Sequence, residues 1–115
     1  MSPAPNTHAK TAWADFVQAT IKQWFELDPS TAVYQGAHEF DGRLPDWSEA
    51  GLAQRVAFLQ SVVADAGAYT SLSKLDAMER DNLISVARRE LFWLVDADRP
   101  HRSPAWYIES GLDPN

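Results

Sequence analysis

Residues on one face of a helix dominate the first part of the chain. From about His8 to Leu27, Trp13, Phe16, Val17, Thr20, Ile21 and Trp24 recur at i, i+3, i+4, i+7 spacing, while Asp15, Gln18, Lys22 and Glu26 fall on the opposite side. This predicts an amphipathic helix. Asp28-Pro29 ends it, because proline disfavours helical backbone in the residue before it, and Pro29 to Gly36 reads as a short further turn of helix. A second long helix is predicted from an N-cap at Ser48, with Glu49 at the positive end of its dipole. Leu52, Val56, Leu59, Val63 and Ala66 form its expected buried stripe, with Val62 at the edge, and Gly67 and Thr70-Ser71 close it near Tyr69. A third helix is predicted over 73–96, with Leu83, Ala87, Leu91 and Leu94 inward, Ile84 and Val95 flanking, and an Asp76–Arg80 pair one turn apart. No strand pattern and no internal repeat is visible, so the fold class is all-α: three main amphipathic helices with a Pro/Gly-containing loop between the first two.

The two ends read differently. Residues 1–8, with two prolines, a Ser, an Asn and a Thr, have the composition of a flexible lead-in, and residues 98–115, with three prolines and a glycine, that of an irregular tail. The whole is expected to be a single helical domain, or the N-terminal fragment of a larger protein.

Two aromatic residues break the helical pattern. Phe92 lies one turn after Arg88 and two after Ser85, and Phe58 sits one turn from Gln54 and two from Asp65, so both are placed on polar faces. With Trp93 beside Phe92, and with Trp106 in the tail, they are the expected interface residues. The surface they imply is one that packs on a missing C-terminal part or on a second copy of the chain, as a homodimer.

Composition narrows the partners. At 115 residues and 45% apolar content the chain suits one modest core. Its net charge of -6, with no basic run longer than Arg88-Arg89, argues against nucleic acid or anionic lipid as partner. There is no cysteine, hence no disulfide or thiolate metal site. The opening MSPAPNTHAK lacks the apolar core of a signal peptide, and no run is long enough for membrane insertion, so the expected location is cytoplasmic.

The stretch GAHEFDGRLPDW, residues 36–47, begins like the zinc-peptidase signature H-E-x-x-H. That signature needs two imidazoles one turn apart on a helix, with the glutamate as general base. Here Gly42 occupies the second histidine position, and Asp41-Gly42 with Pro45 opposes a helix. His8, His38 and His101 lie in separate segments, so the expected metal and catalytic sets are empty. His38 and Asp41 remain a possible pair at a cleft wall, with Arg43 offering a fork to a peptide carboxylate and Tyr107 as a further candidate. The structural reading is favoured: Gly36 and Gly42 form turns, Leu44 plugs into the core, Pro45 stiffens the approach and Asp46 supports the start of the second long helix. Glu79 and Glu90 are too far apart along the helix to form a glycosidase pair.

The order of Asp28-Pro29, Gly36-x-His38, Phe40-Asp41-Gly42-Arg43-Leu44-Pro45-Asp46, Ser48, Asp81, Leu83, Glu90 and Pro104-x-x-Tyr107 resembles the N-terminal region of the bacterial family known as domain of unknown function 885. The resemblance covers nearly everything after about residue 10. Members of that family are several times longer, and their remainder looks like a mostly helical zinc metallopeptidase with an H-E-x-x-H helix far downstream. The resemblance therefore implies a zinc-dependent parent and, for these residues, a non-catalytic helical segment that packs on or walls the catalytic cleft. The alternative is a stand-alone helical module that self-associates through its aromatic residues. No cofactor is expected within the chain itself.

Overall fold

Side-chain caps set the starts of three helices in the computed structural model, which describes the backbone of residues 4–108 and the side chains of residues 12–108. All regular structure among the described residues is helical. Helix α1 spans Ala4–Leu27 and thus begins within the expected lead-in. Pro5 stands in its first turn, where a missing N–H costs no helical hydrogen bond. Residues 1–3 of that lead-in lie outside the described residues.

Asp28 then starts α2, Pro29–Tyr34. Its Oδ1 accepts from the Thr31 amide at 3.3 Å and its Oδ2 from the Thr31 hydroxyl at 2.7 Å. A 3₁₀ turn at His38–Phe40 follows, flanked by Gly36 at φ 93° and Gly42 at φ 78°, both in the left-handed region that favours glycine.

Helix α3, Glu49–Gly67, is capped as the sequence predicts: the Ser48 hydroxyl accepts from the Gly51 amide at 3.1 Å, and Asp46 Oδ1 accepts from the Ser48 amide at 2.9 Å. Ser73 caps α4, Lys74–Leu91, accepting from the Asp76 amide at 3.1 Å. The same rod continues as a π-helical segment, Phe92–Asp96, closed by Ala97 N–H on Phe92 O at 2.8 Å, and Asp98 ends it at φ 50°.

The tail corrects its expectation. It forms two single helical turns, α5 (Arg99–Arg102) and α6 (Pro104–Tyr107), because Pro100 and Pro104 fall in first-turn positions that tolerate proline. Residues 109–115 lie outside the described residues.

The short 68–73 connection folds α4 back on α3 as an antiparallel hairpin. Leu52, Leu59, Val62, Ala87 and Leu94 form the buried interior of that hairpin. The inward face of α3 is turned from the expected one: Val56 and Val63 are half-buried, while Arg55 and Phe58 face in. Phe58, expected on the surface, is 6% exposed, and Trp24 of α1 meets its ring edge at 5.6 Å. Trp106, also expected at an interface, is buried in this same core. Phe92 and Trp93 are exposed, as their pattern predicts.

Near the middle of α1, Trp13 is buried against Phe16 and Tyr69, and its indole N–H donates to Glu79 Oε1 at 3.0 Å. Large aromatic rings thus hold α1 against the hairpin at two points, Trp13 and Trp24. The result is elongated, 58 × 31 × 23 Å, with a radius of gyration of 16.2 Å. A compact chain of this length is expected near about 13 Å.

Two further expectations are corrected. Leu44 is 63% exposed, and in the irregular stretch 43–47 neighbouring Pro45 is the buried residue instead. Arg80 turns to Asp81 at 3.0 Å and to the Tyr69 carbonyl at 2.6 Å, tying the hairpin loop in place of the expected partner Asp76.

Candidate functional site

The capping role of Asp28 fixes its carboxylate at the α1–α2 junction, facing α3 and α4. Arg55 reaches it from α3: Nη2 lies 3.2 Å from Asp28 Oδ2 and 3.6 Å from Glu90 Oε2 of α4. Asp28 and Arg55 are both buried, whereas Glu90 is about a third exposed. One guanidinium therefore joins three elements. A small polar cleft of about 220 Å³ opens beside it, lined also by Thr31, Trp93, Arg99 and Trp106.

This arrangement restricts its own chemistry. Arginine stays protonated and offers no proton transfer. Asp28 Oδ1 accepts from the Thr31 amide, and Oδ2 accepts from both the Thr31 hydroxyl and Arg55. A carboxylate so engaged is a framework group, since a general base needs a free acceptor within reach of a reacting proton. Burying the pair has a desolvation cost that only good geometry and extra hydrogen bonds offset, and removing one partner exposes that cost in full.

Of the residues singled out from the sequence, Trp93 and Trp106 line this cleft, whereas His38, Asp41, Arg43 and Tyr107 do not assemble with the cluster. His38 Nδ1 lies 3.6 Å from Asp41 Oδ1, and both side chains are largely exposed, so neither is held in the interior. Arg43 donates to Glu26 at 2.8 Å and stacks over Phe40 at 4.8 Å. It lines an open groove of about 470 Å³ between α1 and the 3₁₀ turn, with Phe25, Glu26, Glu39 and Phe40; His38 and Asp41 do not line it. Tyr107 is elsewhere, donating to the Pro100 carbonyl at 2.7 Å and meeting Trp47 edge-on at 5.7 Å. Glu79 and Glu90 are separated by function as well as distance along α4: one accepts from Trp13, the other faces Arg55. The Ser48 hydroxyl and amide hydrogen bonds hold the Asp46 carboxyl below its ordinary range.

Two groups escaped the sequence reading. Arg55 lies on the face of Leu52, Leu59, Val62 and Ala66, and a lone arginine at that register is the signal that marks a buried charge. His101 stands between two carboxylates, with Nδ1 2.6 Å from Asp98 Oδ1 and Nε2 2.7 Å from Glu49 Oε1. Hydrogen bonds to Asp98 and then Glu49 raise its pKa above the usual histidine value. Because they approach opposite edges of the ring, the two carboxylates do not converge on one point. Among the described residues no group of three or more His, Asp or Glu side chains is placed to hold a metal ion, and no helix is long and apolar enough to cross a membrane.

Comparison of the chain with protein-family models, with curated proteins and with solved structures finds no match in any of the three.

Proposed function

We propose that the chain is a non-catalytic helical segment of a protein resembling the zinc metallopeptidases of the domain-of-unknown-function 885 family, and that it packs on, or walls the cleft of, a catalytic part carrying the H-E-x-x-H helix. The observation that carries this reading is the use made of the residues on which the resemblance rests. Asp28 and Glu90 converge on Arg55, Ser48 caps α3, and Tyr107 braces α5. Asp28 and Glu90 tie helices together, Tyr107 ties α6 to α5 and Ser48 fixes the start of α3, which are roles expected of a scaffold.

A second reading, a stand-alone module that self-associates, is favoured by one feature. Phe92 and Trp93 contact each other at 4.9 Å and stand 47% and 41% exposed. An exposed aromatic pair at a helix end suits burial against a second copy of the chain.

The test is to purify the longest natural polypeptide that contains these residues and to assay zinc content and peptide hydrolysis. Stoichiometric zinc with hydrolysis abolished by chelation supports the first reading. A polypeptide that binds no zinc, cleaves no peptide and forms a defined oligomer supports the second.

A further inference from the structure

Only one nitrogen of the buried Arg55 guanidinium is used by the framework. Nη2 carries both contacts, 3.2 Å to Asp28 Oδ2 and 3.6 Å to Glu90 Oε2. Arginine also donates through Nε and Nη1, and among the described residues neither meets an acceptor. Trp106 is buried as well, and among the described residues its indole N–H has no acceptor. Both residues line the polar cleft described above. Buried donors are nearly always satisfied, so two of them on the wall of one cleft call for an oxygen acceptor from outside the chain.

Glu90 lines the same cleft and supplies the opposite charge. Its 3.6 Å contact with Arg55 is too long for a hydrogen bond, and no described group donates to it, so its carboxylate remains an acceptor. Arg99, held over the Trp93 ring at 5.4 Å, adds positive charge to the lining. Arg55 and Arg99 thus balance Asp28 and Glu90. An anion would meet the carboxylates and a cation the arginines, whereas a zwitterion satisfies both. Size narrows the ligand further: a cavity of about 150 Å³ holds benzene, so a cleft of about 220 Å³ suits a molecule of little more than about six non-hydrogen atoms. We propose that this cleft binds a small free α-amino acid, with its carboxylate on Arg55 and the Trp106 indole N–H, its ammonium on Glu90 and its side chain against Trp93. The framework role of the buried pair is untouched, since it uses Asp28 and Nη2 alone.

Calorimetric titration of the whole chain with L-alanine, L-serine and L-threonine tests this, with propionate and ethylamine as controls that each carry one of the two charges. At least one of the amino acids should bind saturably, and at least about tenfold more tightly than either control, because a charge-assisted hydrogen bond at each end contributes that much. Glu90→Gln keeps the side-chain size and removes the charge facing the ammonium. It should bind the amino acid no better than propionate. No saturable binding of any of the three amino acids, a control that binds as tightly, or a preference for the amino acid retained in Glu90→Gln would each overturn the assignment.

Discussion

Trp24 meets Phe58 edge to face, with ring centroids 5.6 Å apart, and this contact seats α1 on the hairpin near the Arg55 cluster. Phe58 is therefore an interior residue. Phe58→Ala is expected to cost roughly 3–5 kcal/mol, the usual range for a buried phenylalanine. Urea unfolding measures it; a loss below about 0.5 kcal/mol, typical of a surface site, would contradict the packing described here.

The exposed aromatic pair behaves differently. Phe92→Ser combined with Trp93→Ser is expected to leave the α3–α4 core intact while weakening association. Apolar patches above a few hundred Å² are uncommon on soluble monomers, and a symmetric dimer is the simplest way to cover one. A net charge of -6 does not prevent this, because exposed charges are screened beyond about 10 Å at ordinary salt. Sedimentation over a range of concentrations should show the wild type associating more strongly than the variant. A wild type that stays monomeric throughout removes the basis for self-association.

Gly51 offers a sharper geometric test. A methyl group there would meet the backbone oxygen of Asp46, with the Asp46 side chain 2.5 Å away at Cγ. Alanine in place of helical glycine ordinarily gains up to about 1 kcal/mol, but forcing extra volume into a filled site costs about 1–3 kcal/mol. The clash is with backbone next to the α3 cap, which cannot move without breaking the Asp46–Ser48 bond, so the expected sign is destabilising. A raised melting temperature for Gly51→Ala would contradict that geometry.

Two groups make stability depend on pH in opposite senses. His101 has a raised pKa in the folded chain, so its contribution is complete below the unfolded value near 6.5 and is lost as pH rises through the folded value. Asp46 has a lowered pKa, so its contribution is present above its unfolded value of 3.8 and fades as pH falls through the folded value. The urea midpoint should therefore decline as pH rises above about 6.5 in the wild type, and His101→Gln should flatten that limb alone. The acid limb should persist in that variant.

The starts of α2, α3 and α4 were legible because serine caps and Asp-Pro punctuation act within a few residues, whereas α1 begins inside the stretch that reads as a flexible lead-in. Asp28, Ser48 and Ser73 hold the ends their local sequence dictates. The rotation of α3 was not legible, since a stripe drawn through apolar residues alone selects Val56 and Val63. What decides the face is Arg55, pulled inward by two carboxylates from distant parts of the chain, and Phe58 follows it. The tail was misjudged for a related reason. Proline count reads as irregularity, whereas Pro100 and Pro104 fall where a helical turn accepts them, and Trp106 supplies the burial that keeps those turns in place. His101 and Glu49 are 52 positions apart, and nothing local joins them.

Arg55 joins α1–α2, α3 and α4, and a double-mutant cycle on Arg55→Ala and Asp28→Ala, read by urea unfolding, tests this most directly. Each single substitution is expected to cost about 3–5 kcal/mol, because it leaves a buried charge without its partner. The double variant should be far less damaged than the sum, giving a coupling of about 1–3 kcal/mol between the two side chains. Additive losses with no coupling, or an Arg55→Ala chain as stable as the wild type, would contradict a scaffold built on this pair.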